Sequence, residues 1–519
     1  MNKRAFVKNT AVMTMTSLLL RSLGIVFRIF ISNRVGAEGM GLYQLVFSVY
    51  VLGGTFASAG LVTAVTRLVA EQLIRGNRRA ARWVMRASMA LCIAIGLVSA
   101  VLLYAAAEPI GRLVGDMRTV PAIRVSGLAL PFIGVTSCIR GYFAARRRAG
   151  PPCLAQIIEQ LTRIGSILWM LRLAGAACSL ADACRIIILG DALSEAVSCC
   201  LLAVIYRQDS RRLFRLPQKP EYAPARRPLL RALFSIAVPI TAGRYLSTIL
   251  RTAENILVPM RLTLFTGSDS VSLEQFGAVK GMALPLIFFP SALLLTISSL
   301  LVPELSDAHA LGQRREVTRL VGATMHSTML GSVLIGCLFT VFGRALGELL
   351  YKDATVGLLL QILGPLTPVM YLDSIATGML KGLGEQVRSL WYSVADSIVR
   401  IVLILLLLPR YGLIGFLFVM LVSNLLTSLL STHRLLAVSG TAMCWYRWVI
   451  GPTFAAALVG GGWYAVSVRF RLDTGLPALL LGAVCVCGAY GLLLPALGCL
   501  RQEDVAVFKR RKQKTGCRT

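Results

Sequence analysis

Fourteen apolar runs follow one another along this chain, each about as long as the ~20 residues that a helix needs to cross a bilayer. Polar, arginine-containing segments separate them. The sequence therefore predicts an all-α membrane protein with about 14 transmembrane helices, near residues 9–32, 43–70, 83–106, 121–144, 153–172, 183–206, 232–260, 273–301, 320–343, 356–380, 389–408, 412–433, 447–467 and 476–499.

The composition agrees with a membrane protein. Hydrophobic residues make up 56% of the 519 residues and charged residues only 15%, against about 45–50% and about 25% in soluble proteins. The net charge of +30 would indicate nucleic acid in a soluble chain. In a multi-pass protein Lys and Arg collect in cytoplasmic loops, so we expect no nucleic-acid partner.

The loop charges predict an orientation. If the N-terminus is cytoplasmic, the arginine-rich loops all fall on the cytoplasmic side and the opposite loops carry one or two basic residues each. We therefore expect a multi-pass protein of the cell membrane with both termini cytoplasmic. The longest polar stretch, residues 207–231, is rich in Pro and Arg and is expected to lie on anionic lipid, with a regulatory or partner site as the alternative.

The two halves of the chain repeat. At an offset of 237 residues Pro131 corresponds to Pro368 and Gly141 to Gly378. An even number of spans in each half gives both halves the same orientation, as in transporters built from parallel repeats. The sequence predicts a six-helix lobe at 1–206, a cytoplasmic basic linker at 207–231, a second six-helix lobe at 232–434, two extra helices at 435–499 and a basic cytoplasmic tail at 500–519.

Six arginines lie deep inside apolar runs: Arg21, Arg28, Arg163, Arg244, Arg251 and Arg400. One charge at mid-bilayer costs roughly 2.5–3.5 kcal/mol, so six would cost roughly 15–20 kcal/mol, more than the usual net stability of about 5–15 kcal/mol. We therefore expect them to face a water-filled or paired interior. A cationic cavity favours an anionic substrate.

Spacing places some of these arginines together. Arg21 and Arg28 are seven residues apart, and so are Arg244 and Arg251, so each pair lies on one helix face. Guanidiniums suit bidentate contact with phosphate oxygens, and a stacked pair matches a pyrophosphate. These four are the predicted substrate-binding residues. The alternative is that each pairs with an acid, as Arg251 could with Glu254.

Other charged residues in the apolar runs each have two possible roles. Glu159 and Arg163, and likewise Asp396 and Arg400, are acid–arginine pairs four residues apart, whose side chains meet on a helix. They are interpreted as structural ion pairs, or alternatively as a gate. Arg67 either snorkels to the interface or lines the cytoplasmic mouth of the cavity.

Arg140, near the end of a span, is expected to snorkel. Asp191, Glu195 and Asp373 are further intramembrane acids, each a candidate for proton or cation coupling or, alternatively, a counter-charge for an arginine.

Motifs for enzymatic or metal chemistry are missing from the sequence. It contains no GxxxxGK[ST], HExxH or GxSxG motif, and its 3 histidines form no ligand set. Most of the 13 cysteines lie inside apolar runs and are interpreted as small hydrophobic residues. We therefore predict no catalytic residues, no metal site, no cofactor and no enzymatic activity.

At this point the sequence resembles a known family. Two lobes, two extra spans and arginines in spans one and seven look like the multidrug/oligosaccharidyl-lipid/polysaccharide (MOP) exporter superfamily. Three stretches of the sequence resemble one group of this superfamily, the polysaccharide exporter/stage V sporulation protein B group. They are TSLLLRSLGIVFRIFISNRVGAEGMGLYQLVFSVY, GLVTAVTRLVAEQ and LKGLGEQVRSLWYSVADSIVRIVLILLLLPRYGLIGFLFVML.

The resemblance implies a MATE-like, V-shaped bundle with alternating access. It also implies an undecaprenyl-pyrophosphate-linked glycan or peptidoglycan precursor as substrate, and a part in spore cortex synthesis. Related lipid II flippases have an arginine-lined cavity, and Arg21 and Arg28 match it by position. Arg163 and Arg400 depart from it because each carries its own acid.

Two alternatives remain. One is a multidrug/cation antiporter of the same superfamily, although its cationic substrate would prefer acidic and aromatic residues. The other is a non-transporting scaffold that recruits glycan synthases through its basic loops. The expected partners are thus a lipid-linked anionic glycan and anionic membrane lipids, with glycan synthases in the second alternative.

Overall fold

The computed structural model describes residues 3–58, 60–175, 178–215, 226–470 and 475–500. Within these ranges the helices are joined by short turns, and there is no strand. The middle of the predicted linker, 216–225, and the tail from 501 onward lie outside the described residues. The predicted all-α membrane fold is confirmed.

The first unit contains residues 1–277 and 401–416. Its helices are α1 (Lys3–Ser58), α2 (Leu61–Ile74), α3 (Arg78–Ala105), α4 (Ala107–Val114), α5 (Val120–Ser126), α6 (Leu130–Ala145), α7 (Gly150–Ala174), α8 (Leu180–Arg215), α9 (Arg226–Thr266) and α10 (Asp269–Phe276). Helix α8 continues to Arg215, so the first residues of the predicted linker are helical.

The second unit contains residues 278–400 and 417–519. A π-helical segment, Gly277–Ala283, leads into it. Its helices are α11 (Leu284–Phe288), α12 (Ser291–Ala310), α13 (Arg314–Tyr351), α14 (Ala354–Leu363), α15 (Thr367–Gly382), α16 (Gln386–Ser439, shared with the first unit), α17 (Gly451–Phe470) and α18 (Leu476–Ala496).

Ten helical segments in the described part are long and apolar enough to span a membrane. The first of them, Met13–Ile74, and the segment Gln386–Ser439 each cover two predicted spans. Both contain a glycine kink, at Gly36 (φ 72°) and Gly412 (φ 54°), where only glycine adopts the backbone angles without strain. Helix α7 and the broken series α10–α12 account for the remaining predicted spans, so the count of about 14 agrees with the structure.

The internal repeat in the sequence is matched by the lengths and the first residues of corresponding helices. Helices α6 and α15 both have 16 residues, and their first residues, Leu130 and Thr367, differ by the offset of 237 that the sequence predicts. The repeat continues upstream: Asp116 and Asp353, at the same offset, each cap the following helix by accepting a backbone N–H two residues on. Two copies of one folding unit explain this agreement.

Each unit has apolar cores of its own. In the first unit, α2, α3, α6 and the end of α8 enclose a cluster that includes Tyr142 and Phe143, both fully buried. In the second, α12, α13 and α15 enclose one that includes Met325 and Leu380. These cores hold the helices that carry the charged residues described next.

Candidate functional site

The second half of α1 packs against α9, and this contact positions the predicted arginines. The rings of Phe56 and Tyr245 stack with centroids 4.2 Å apart, and Tyr245 donates a hydrogen bond to the Phe56 carbonyl at 3.0 Å. Further along, Asn255 Nδ2 donates to Ser48 Oγ at 2.8 Å and Thr252 donates to the Ser48 carbonyl. Arg251 immediately precedes Thr252, the first α9 residue of this buried polar contact.

A chain of hydrogen bonds links Arg28 to the same contact. Arg28 Nη2 donates to Gln44 Oε1 at 3.0 Å, across the kink at Gly36. The Ser48 hydroxyl donates to the Gln44 carbonyl at 2.8 Å and accepts from Asn255. Arg28 is therefore held in place by a polar network that joins both halves of α1 to α9.

In contrast to Arg28, four arginines of the first unit have exposed side chains. The side chains of Arg21 on α1, Arg67 on α2, and Arg244 and Arg251 on α9 form no hydrogen bond or ion pair within the described part of the chain. The alternative in which Arg251 pairs with Glu254 does not occur, and the Glu254 side chain is buried. Guanidiniums without protein partners at span depth need water or an anion.

The other deep arginines are ion-paired. In the first unit, Arg163 on α7 lies 3.3 Å from Glu159 and 2.8 Å from Asp191 on α8. Glu159 also accepts from Arg140 on α6 at 2.9 Å. Arg140 therefore pairs inside the bundle, so our expectation that it snorkels was wrong. Three helices are joined by this cluster.

The second unit contains the counterpart of this cluster. Arg400 pairs with Asp396 one turn earlier on α16. Ser423 on the second half of α16 completes the group, since it accepts from Arg400 Nε at 2.9 Å and donates to Asp396 Oδ1 at 2.6 Å. Both predicted acid–arginine contacts are thus present, each extended by a polar residue from the next span.

Sequence reasoning did not identify Gln44 as the partner of Arg28, nor Asp191 and Ser423 as the partners of Arg163 and Arg400. Local spacing identifies partners on one helix only. A buried acid in an otherwise apolar run was the available signal for Asp191, because such a group needs a partner. Ser423 gave no comparable signal, since serine is common in transmembrane helices.

Comparisons with known proteins place this arrangement in a family. A family model described as polysaccharide biosynthesis protein matches residues 6–309, more than half of the chain. The chain belongs to this family. A similar relative is stage V sporulation protein B of Bacillus subtilis (strain 168), 23% identical over 418 residues that cover 80% of each chain. The lipid II flippase MurJ of the same organism is 23% identical over 428 residues, 76% of each chain.

Solved structures show the same fold. A structure of the lipid II flippase MurJ, in an inward closed conformation, matches with a TM-score of 0.67 and 13% identity, covering 92% of this chain and 97% of that one. An inward-facing MATE multidrug transporter of the MOP superfamily matches with a TM-score of 0.65 and 14% identity, covering 83% and 100%. The chain is therefore a multi-pass membrane protein with the MATE-like fold of the MOP superfamily, as the resemblance implied.

Proposed function

We propose that this protein is a flippase that moves a lipid-linked anionic glycan precursor, carried on undecaprenyl pyrophosphate, across the cell membrane. The observation that carries the proposal is the exposure of four guanidiniums on α1, α2 and α9 without protein partners in the described part of the chain. A pyrophosphate supplies the oxygens that such groups bind bidentately. The relatives, one of them named a lipid II flippase, support the same substrate class.

The proposed roles follow from the contacts. Arg21, Arg28, Arg244 and Arg251 would bind the two phosphoryl groups, and Arg67 would lie at the cytoplasmic mouth. The paired clusters around Arg163 and Arg400 would hold each lobe together, because their charges are already neutralised by neighbouring acids. Movement would be alternating access by rocking of the two lobes, with the isoprenoid chain remaining in the bilayer.

The contacts also favour an anionic over a cationic substrate. A multidrug or cation antiporter would need acidic groups available to its substrate. In the first unit the acids Glu159 and Asp191 are occupied by arginines at 2.8–3.3 Å, whereas the exposed charges on α1, α2 and α9 are guanidiniums. A role in spore cortex synthesis would follow if the chain shares the process for which stage V sporulation protein B is named.

The test is leaflet exchange in proteoliposomes that contain a fluorescent undecaprenyl-pyrophosphate glycan. We expect Arg251→Gln and Arg244→Gln each to reduce the initial rate at least tenfold, because each removes charge-assisted hydrogen bonds to the phosphates. Arg112→Gln is the control, since Arg112 is an exposed arginine on α4 with no described partner. Equal initial rates of leaflet exchange in the wild type and in all three variants would contradict the proposal.

A further inference from the structure

A long apolar groove runs between the first half of α1 and α7, within the first unit. Its volume is about 750 Å³. On α1 it is lined by Leu23, Val26, Phe27 and Phe30, of which Val26 and Phe30 remain 65% and 48% exposed. These positions follow the three-to-four-residue spacing of one helix face.

The groove continues on α7 along an equivalent stripe of Ile164, Leu168 and Leu171. The lining extends from Leu23 to Arg34 on α1 and from Ile164 to Gly175 at α7. Each of these ranges covers eleven residue steps, or about 16 Å at 1.5 Å per residue. This matches one leaflet of a hydrocarbon core that is about 30 Å thick. An acyl chain of a phospholipid occupies that same depth.

One end of the groove is cationic. Arg34 and Arg172 both line it there, and Arg34 Nη2 is fixed by a hydrogen bond of 3.0 Å to the Gly175 carbonyl. Arg172 is exposed, and its guanidinium has no hydrogen bond or ion pair within the described part of the chain. Since none of the described residues that line the groove is acidic, its polar end complements a single negative phosphate.

This groove is distinct from the proposed substrate site. At about 3.6 residues per turn, positions 23, 27, 30 and 34 of α1 form one stripe, and Arg21 and Arg28 point to roughly the opposite side of the helix. A pyrophosphate bound at Arg21 and Arg28 therefore does not place its isoprenoid chain along the groove. A long isoprenoid chain also exceeds a groove that is one leaflet deep.

We infer that the α1–α7 groove binds one anionic phospholipid, with an acyl chain along the apolar stripes and its phosphate between Arg34 and Arg172. By the predicted orientation this lipid belongs to the outer leaflet. The inference stands independently of the transported substrate.

The test uses the full-length protein in nanodiscs with a phosphatidylglycerol that carries a photoreactive diazirine in one acyl chain. Peptide mapping is expected to find label in residues 23–30 and 164–171. Arg172→Gln should lower the labelling about fivefold, since one basic residue contributes about 1 kcal/mol to anionic-lipid binding. Val26→Trp should lower it by filling the groove, and Arg112→Gln should leave it unchanged.

Two competitors complete the experiment. Unlabelled phosphatidylglycerol should displace the probe more effectively than phosphatidylcholine. Label that is spread along the helices and insensitive to both groove variants overturns the site. Displacement by an undecaprenyl-pyrophosphate lipid at lower concentration than by phosphatidylglycerol overturns the assignment to a phospholipid and gives the groove to the isoprenoid chain.

Discussion

Two kinds of arginine lie at span depth in this protein, and their environments differ. Arg163 and Arg400 are held by acids on their own helix and by a second polar residue from the next span. Arg244 and Arg251 are exposed, and their side chains have no hydrogen-bond or ion-pair partner among the described residues. A buried ion pair makes the bundle sensitive to loss of either partner, whereas an exposed guanidinium contributes little to stability.

Breaking the Arg400 cluster should therefore destabilise the fold. Arg400→Gln leaves the buried Asp396 carboxylate without its guanidinium, and we expect a loss of about 3 kcal/mol in the free energy of unfolding. Asp396→Asn combined with Arg400→Gln should recover most of this loss, because no buried charge remains. Thermal unfolding in detergent measures both effects.

Arg410→Gln is the matched control for that series. Arg410 is an exposed arginine on the same helix, so its replacement should change stability by less than about 0.5 kcal/mol. If Arg400→Gln is as mild as the control, the cluster does not stabilise the second unit.

At this scale the sequence predicted part of the site. Spacing identified the acid–arginine pairs four residues apart, because helical periodicity alone determines them. The stacking of Arg21 on Arg28 and of Arg244 on Arg251 stays a prediction. It did not identify Gln44 or Asp191, since contacts between helices depend on packing that a single sequence does not encode locally. The same limitation explains the wrong expectation for Arg140, whose partner Glu159 lies on the next helix.

Among the helices, glycine determines how closely α1 approaches its neighbours. A Cβ atom at Gly41 would lie 2.2 Å from the Leu273 carbonyl oxygen on α10, and one at Gly277 would lie 1.9 Å from the Ala37 carbonyl oxygen. Because the added Cβ atom would meet a backbone atom in both cases, the clash could be relieved only by shifting one of the two helices. Small residues that allow such approach are typical of helix contacts in membranes.

Two glycines on α1 offer a direct comparison. Gly41→Ala should push α1 away from α10 and lower the unfolding free energy by about 1–3 kcal/mol, as overpacking does. Gly24→Ala meets no atom within 4 Å and should stabilise the helix by up to about 1 kcal/mol. If the melting temperatures of both variants shift in the same direction, this account of the α1–α10 contact is wrong.

The helices themselves were largely predictable. Apolar length located the spans, and the offset of 237 residues predicted that α6 and α15 are equivalent. The sequence did not show that the two helical halves of α1, and likewise those of α16, meet directly at one glycine with non-helical backbone angles. A glycine in the sequence is equally compatible with such a kink and with a longer loop. The series α10–α12 is broken around α11, where Pro285 lies in the first turn of α11 and Pro290 precedes α12.

For the whole molecule, the distribution of arginines predicts its orientation in the membrane. The loop that contains Gln313 joins α12 to α13 and belongs to the predicted cytoplasmic set, whereas Arg112 on α4 belongs to the outer set. Both side chains are exposed. The positive-inside distribution should hold because basic loops resist translocation.

Cysteine accessibility measures this orientation. In a background without native cysteines, we expect an impermeant maleimide to label Arg112→Cys in intact cells and Gln313→Cys only after permeabilisation. The reverse pattern would place both termini outside and assign Arg34 and Arg172 to the inner leaflet.

The central claim is that exposed guanidiniums on α1 and α9 select a pyrophosphate on a lipid. Its most direct measurement is the ratio of leaflet-exchange rates for an undecaprenyl-pyrophosphate glycan and for the same glycan on a neutral isoprenoid, in wild type and in Arg21→Gln/Arg251→Gln. The account predicts a wild-type ratio well above one that falls to about one in the double variant, whose melting temperature stays unchanged. A ratio near one in the wild type, or an unaltered ratio in the double variant, would contradict it.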